Sequence, residues 1–236
     1  MYCQGIALKY EEDFKLALES FAQASALDPT WQEPRGQEAV LLKYLQVVLT
    51  TPIPGLLMYQ VLVIVINQDI VTLLELRGKL KAKKLAQLID SVASSQLGPY
   101  ANGSYLHHSG TRVKLEPKVF SRLQPGLNSE TVVVGRVICS VHTENTVPFT
   151  FCLVDAEGTN LAVTVYNLSP GKGVIIGDSV AISEPFFSKV DLVYKEHQFK
   201  FPLIRVESPL VLVVNGKKGG KEMLAGVAMS SFTCPT

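Results

Sequence analysis

Cysteine is scarce in this sequence and badly placed for metal. Cys3, Cys139, Cys152 and Cys234 are the four in 236 residues. None forms a CxxC pair and no paired histidine accompanies them, which argues against a zinc site. The opening MYCQGIALKYEED lacks a basic stretch followed by an apolar run, so no secretory signal is expected and the thiols are expected to stay reduced in the nucleus and cytoplasm. Asn102-Gly103-Ser104 then reads as a turn. Catalytic machinery is missing too. SPGKGV and GKKGGKE each fail the P-loop pattern, and His107-His108, His142 and His197 have no acidic or cysteine company. No nucleophile, base and orienting group can be assembled. The expectation is a non-enzyme with no cofactor, no metal and no small-molecule substrate.

Charge is absent from Tyr44 to Gln68. A membrane helix needs about 20 uninterrupted apolar residues, and Pro52, Pro54 and Gly55 break this run. Leu56 to Ile66 remains, and its VLVIVI core is β-branched and strand-prone. No membrane partner is expected, a span broken by the proline pair being the alternative. Elsewhere charge is uneven beneath a formal total of +1: residues 1–68 carry a net −3, 69–122 +5, 123–215 −3 and 216–236 +2. A local excess of one sign steers partners even in a neutral protein.

Residues 1–29 place Gly5, Ala17, Phe21, Ala24 and Pro29 at the spacing of a tetratricopeptide repeat, a helix–turn–helix unit. The two alanines let helices approach, Phe21 fills the groove between neighbouring repeats, and Pro29 stops the second helix. Gln4 and Leu8 depart from the pattern, and a generic amphipathic hairpin is the other reading. A lone repeat cannot bury its apolar face, so the chain is expected to be the C-terminal part of a longer array, with EPRGQEAVLLKYL as its capping helix. From Asp69 an i, i+3, i+4, i+7 recurrence returns through Ile70, Leu73, Leu74, Leu85, Leu88, Ile89 and Val92, slipping near Gly78.

Residues 127–215 alternate as strands. TVVVGRVICSVH is a first strand with Gly135 inside it, and PFTFCLVD and NLAVTVYNL form a hairpin across Ala156–Thr159. A fourth strand follows Gly177-Asp178, and HQFKFPLIRVESPLVLVVNG closes the set. A meander of three, a connection, then two more is the layout of an OB-fold barrel. The fold class is therefore α+β (multidomain): a truncated α-helical tetratricopeptide repeat with capping helices, then an all-β five-stranded OB-fold barrel. The divisions are 1–44 repeat and cap, 45–68 apolar insert, 69–97 basic helical connector, 98–126 linker and lead-in, 127–215 OB-fold domain and 216–236 flexible tail.

GKLKAKKL, LQPGLN, VPFTFCLVDAEG, AVTVYNL, GVIIGDSVAI and IRVESPLVLVVNGK occur together in this order. In this the chain resembles the C-terminal half of the tetratricopeptide repeat protein 5 (Strap) family. The likeness fails over about 45–68, which reads as a foreign insert. It implies a non-enzymatic adaptor with a dual role. One is a stress-responsive transcription cofactor scaffold, joining a histone acetyltransferase coactivator to the p53 and DNA damage response. The other is a ribosome-associated factor in tubulin mRNA autoregulation, reading nascent tubulin where upstream repeats supply the peptide groove.

For sites, Arg77, Lys79, Lys81, Lys83 and Lys84 are the candidate contact to ribosomal RNA, since basic side chains on phosphates gain affinity by counterion release. A solvated basic helix face is the competing reading. On the barrel, Phe149, Phe151 and Leu153 alternate inward with Leu161, Val163 and Val165. The opposite face shows Thr150, Cys152, Ala162, Thr164 and Tyr166, without lysine or arginine. A single-stranded nucleic-acid-binding OB-fold using the face around Tyr166 is the alternative function. Tyr166 and the Phe186-Phe187 pair, placed in a loop before the last strand, are candidate protein-binding positions, although burial of the phenylalanine pair is the favoured reading over an exposed docking pair.

Overall fold

The computed structural model describes residues 1–49, 82–101, 104–106, 112–141 and 148–226. Helices α1 (Tyr2–Tyr10), α2 (Phe14–Leu27) and α3 (Glu33–Leu49) come first. Asp13 starts α2 by accepting a hydrogen bond from the Leu16 amide, which satisfies a donor the helix leaves open. A Cβ on Gly5 would fall 2.7 Å from the Phe21 ring, so α1 and α2 meet at a separation that only glycine permits. Ala17, Phe21 and Ala24 are buried, and Pro29 lies just past the end of α2. α3 runs to Leu49, beyond the division drawn at residue 44, because Leu45 and Val48 continue the buried stripe of Leu41 and Tyr44 at helical spacing. The remainder of the apolar insert, 50–68, lies outside the described residues.

A short helix α4 (Ala82–Asp90) and a 3₁₀ segment (Ser94–Tyr100) lead to the strands. These are β1 (Ser104–Leu106), β2 (Arg112–Lys114), β3 (Glu116–Pro117), β4 (Gly126–Leu127), β5 (Thr131–Val141) and β6 (Phe149–Val154). They continue with β7 (Asn160–Val165), β8 (Ser179–Ser183), β9 (Phe186–Tyr194), β10 (His197–Val206), β11 (Leu212–Val214) and β12 (Lys217–Lys218). β1 and β2 pair apart from the rest, and the main sheet runs β12-β11-β8-β5-β6-β7-β10-β9-β4. β5, β6 and β7 form the expected meander, β8 returns antiparallel to β5, and β10 lies parallel to β7. This is the OB layout with added strands, and the fold is α+β.

The sheet holds more than the five strands expected, and β9 is the main addition. Its sequence, FFSKVDLVY, buries Phe187 in the barrel interior and, on the opposite face, Val190, Leu192 and Tyr194 against the helices, while Phe186, Lys189, Asp191 and Val193 stay exposed. It pairs along its length with β10 through a two-residue turn, Lys195-Glu196, with Lys195 at φ +52°. Neither residue is the glycine or asparagine that usually marks such a turn, so the hairpin is hidden in the sequence.

The barrel interior is filled by Phe120, Val133, Phe151, Leu153, Val163 and Ile182 with their neighbours. Gly135 is constrained by close packing: a Cβ there would lie 2.8 Å from the Val154 carbonyl and 2.9 Å from the Phe120 ring. The irregularity in β5 falls one turn of the pleat later, between Val137 and Cys139. Gly135→Ala is expected to destabilise the chain by about 1–3 kcal/mol, because backbone and a buried ring must both give way. Urea denaturation measures this, and an unchanged midpoint would contradict it.

Candidate functional site at the helix–barrel seam

Successive residues of β6 and β7 point to opposite faces, and both faces are buried here. Phe151, Leu153, Leu161 and Val163 line the barrel interior, whereas Cys152, Val154 and Ala162 belong to a second cluster with Phe14, Leu18, Leu41, Tyr44, Leu45 and Val48 of the helices. The hairpin of β9 and β10 extends this layer with Val190, Leu192, Tyr194, Phe199 and Phe201. The helices thus lie on the outer wall of the barrel, over the strands where OB-folds commonly place nucleic-acid bases.

Three polar contacts fix the position of that layer. Glu12, in the α1–α2 turn at φ +65°, accepts on Oε1 from Thr164 Oγ1 at 2.7 Å and from the Tyr166 hydroxyl at 3.0 Å. The Arg205 guanidinium stands 3.7 Å from the same oxygen, donates to the Tyr10 carbonyl at 2.7 Å, and stacks over the Tyr166 ring with 4.2 Å to its centroid. Burial raises the Glu12 carboxyl above its ordinary range. The hydrogen bonds from Thr164 and Tyr166 and the charge of Arg205 oppose that rise.

The second contact is Tyr44, whose hydroxyl lies 3.4 Å from Thr150 Oγ1. Thr150 donates its own proton to the Pro148 carbonyl, so Tyr44 is the donor. The third joins Glu38 of α3 to the β9–β10 turn, accepting from Tyr194 at 2.8 Å and Lys195 at 2.6 Å. Burial pushes the hydroxyls of Tyr44, Tyr166 and Tyr194 upward, so all three stay protonated donors.

These positions settle where the sequence candidates lie. Tyr166 is engaged by this chain's own first helical turn, which corrects its reading as a position open to partners. Phe187 is 4% exposed inside the barrel, in line with the favoured buried reading, and both phenylalanines begin strand β9, which corrects their placement in a loop. Phe186 faces solvent at 46% exposure, opposite Leu127 at 62%. Of the basic run, Arg77, Lys79 and Lys81 lie outside the described residues. Lys83 and Lys84 are exposed on α4, which rests on the protein through Leu85, Leu88 and Ile89. Among the described residues no three metal-binding side chains converge, and no helix is long and apolar enough to cross a membrane.

Sequence reasoning missed Glu12, Glu38, Tyr44 and Arg205. The signal available was the composition of the outer face: Thr150, Cys152, Ala162 and Thr164 are small and uncharged, as a wall packed by helices requires.

Residues 114–228 match the model of the tetratricopeptide repeat protein 5 OB fold domain. The chain belongs to the tetratricopeptide repeat protein 5 family. It is 43% identical over 223 residues to tetratricopeptide repeat protein 5 of Homo sapiens and to that of Mus musculus, and 42% identical to that of Bos taurus. Those alignments cover 94% of this chain and 46% of each relative, so the chain spans less than half the length of the curated relatives it matches. The region corresponds to the family's C-terminal part. The family likeness takes in the helices as well as the barrel, in keeping with a seam that joins them.

Proposed function

We propose that this chain is the adaptor end of a tetratricopeptide repeat protein, in which the barrel serves as a rigid cap for the repeat helices. The observation that carries this reading is the sealed outer wall: Thr150, Cys152, Ala162 and Thr164 lie beneath α1–α3, so the surface for stacking single-stranded nucleic acid is already occupied. The net charge of −3 over residues 123–215 also disfavours a phosphate backbone there.

The family likeness supports a finer reading, which is ours. Basic residues on the connector contact ribosomal RNA, and the helical layer supports repeats that recognise nascent tubulin. The same scaffold serves transcription coactivators in the p53 and DNA damage response, with the protein in both nucleus and cytoplasm. Lys83 and Lys84 favour the ribosome contact because α4 is held by its apolar side and leaves both ammonium groups in solvent.

Co-sedimentation of the chain with purified ribosomes across a salt series tests this. Binding is expected to weaken as salt rises, since each phosphate contact releases counterions. Lys83→Glu/Lys84→Glu is expected to reduce the bound fraction at least several-fold while leaving the thermal transition in place. Equal sedimentation of the two proteins, or binding indifferent to salt, would remove the connector from the proposal.

A further inference from the structure

Cys139 of β5 and Cys152 of β6 are direct cross-strand partners. They meet because of the irregularity in β5. Val137 opposes Leu153, so an unbroken ladder would set Ile138 against Cys152, but one extra residue shifts the register and brings Cys139 there instead. Ile138 and Cys139 both turn toward the helix layer, where Cys152 also sits. Directly opposed residues of an antiparallel pair have Cα atoms about 4.5–5.5 Å apart, within the roughly 4.4–6.8 Å that a disulfide spans. Cys139 is partly exposed, while Cys152 is buried.

We propose that Cys139 and Cys152 form a peroxide-responsive thiol pair at the seam, converting to a cross-strand disulfide. The Cys139 thiolate attacks one oxygen of a hydroperoxide. The O–O bond breaks, the sulfur becomes a sulfenic acid, and the other oxygen leaves as water or an alcohol after taking a proton. The Cys152 sulfur then attacks the sulfenic sulfur. The S–O bond breaks, water departs with the thiol proton, and the S–S bond forms. Exposure assigns the order: the accessible thiol meets the oxidant, and the buried one resolves it. The bond would join β5 to β6 directly beneath the last turn of α3, where Val48 and Leu49 border Cys152.

Hydrogen peroxide treatment of the whole chain, followed by alkylation and mass spectrometry, tests this. Both cysteines fall on one tryptic peptide, residues 137–172, with Glu144 between them. The expected product has lost two hydrogens, takes no alkylating reagent at either cysteine, and stays joined after cleavage at Glu144 until reduced. In Cys152→Ser, a sulfenic acid at Cys139 is expected to be trapped by dimedone several-fold more than in the unaltered chain. Should that variant misfold, the unaltered chain decides alone. Overoxidation of Cys139 with Cys152 still a thiol would overturn the proposal, as would disulfides formed only through Cys3 or Cys234.

Discussion

Leu45→Ala is expected to lower the stability of the whole chain by about 2–5 kcal/mol, the range for removing a buried leucine and leaving a cavity. Leu45 is fully buried in α3, in the cluster that also holds Cys152, Val154, Ala162 and Leu203 of the barrel wall. Its loss therefore removes contacts on both sides of the seam. The consequence reaches beyond α3, because one cluster both holds the helices together and joins them to the barrel wall. Leu45→Ala is expected to speed native-state alkylation of Cys152 and to lower the melting temperature of helix and barrel together. A variant in which only the helical signal weakens, with the barrel transition unmoved, would show the two layers to be independent.

Glu12→Ala is expected to cost about 1–3 kcal/mol, because Thr164 and Tyr166 lose their shortest and only charged acceptor and fall back on the Ile204 carbonyl at 3.4 Å and the Tyr10 carbonyl at 3.1 Å. Glu12→Gln should cost much less. Burial is the leading influence on this carboxyl and raises it above its ordinary value of 4.5. A neutral amide therefore suits the site, and its carbonyl still accepts from both hydroxyls. The sign of the pH effect follows. A carboxyl raised in the folded state binds its proton more tightly there, so it favours folding most below pH 4.5, and that contribution is lost as pH rises through the raised value. Subtracting the stability–pH curve of Glu12→Gln from that of the unaltered chain isolates this term. A difference that instead grows with pH across that window would mean that the Arg205 charge outweighs burial. Glu207, 3.5 Å from the Arg205 Nε, is largely exposed.

Much of this architecture can be read from the residues alone. The meander of β5, β6 and β7 follows from alternation, and the inward set Phe149, Phe151, Leu153, Leu161, Val163 and Val165 is the set that the chain places toward the barrel interior. Ala17 and Ala24 signal a close helix approach by their size and spacing, whereas the seating of Gly5 on the Phe21 ring is a detail that only the packed helices show. The hairpin of β9 and β10 is illegible because Lys195 adopts a positive φ without the residue types that advertise it. The seam is harder still. Glu12, Tyr44, Thr164, Tyr194 and Arg205 come from five separate segments, and a single sequence carries no period that joins them. What it does carry is negative: an outer strand face with no lysine or arginine is poorly suited to phosphate and well suited to packing. The Cys139–Cys152 pairing is hidden for a related reason, since one inserted residue decides it and strand register cannot be counted from spacing alone.

The shared core at the seam predicts that α1–α3 and the barrel wall unfold as one cooperative unit. Trp31, the single tryptophan, packs against Tyr2 in the helical layer and reports on it by fluorescence. Hydrogen exchange in residues 149–165 reports on the barrel wall. A urea series read by both probes should give coincident midpoints. Loss of the Trp31 signal at lower urea, with the strands still protected, would contradict the claim and return the outer wall of the barrel to the list of available binding surfaces.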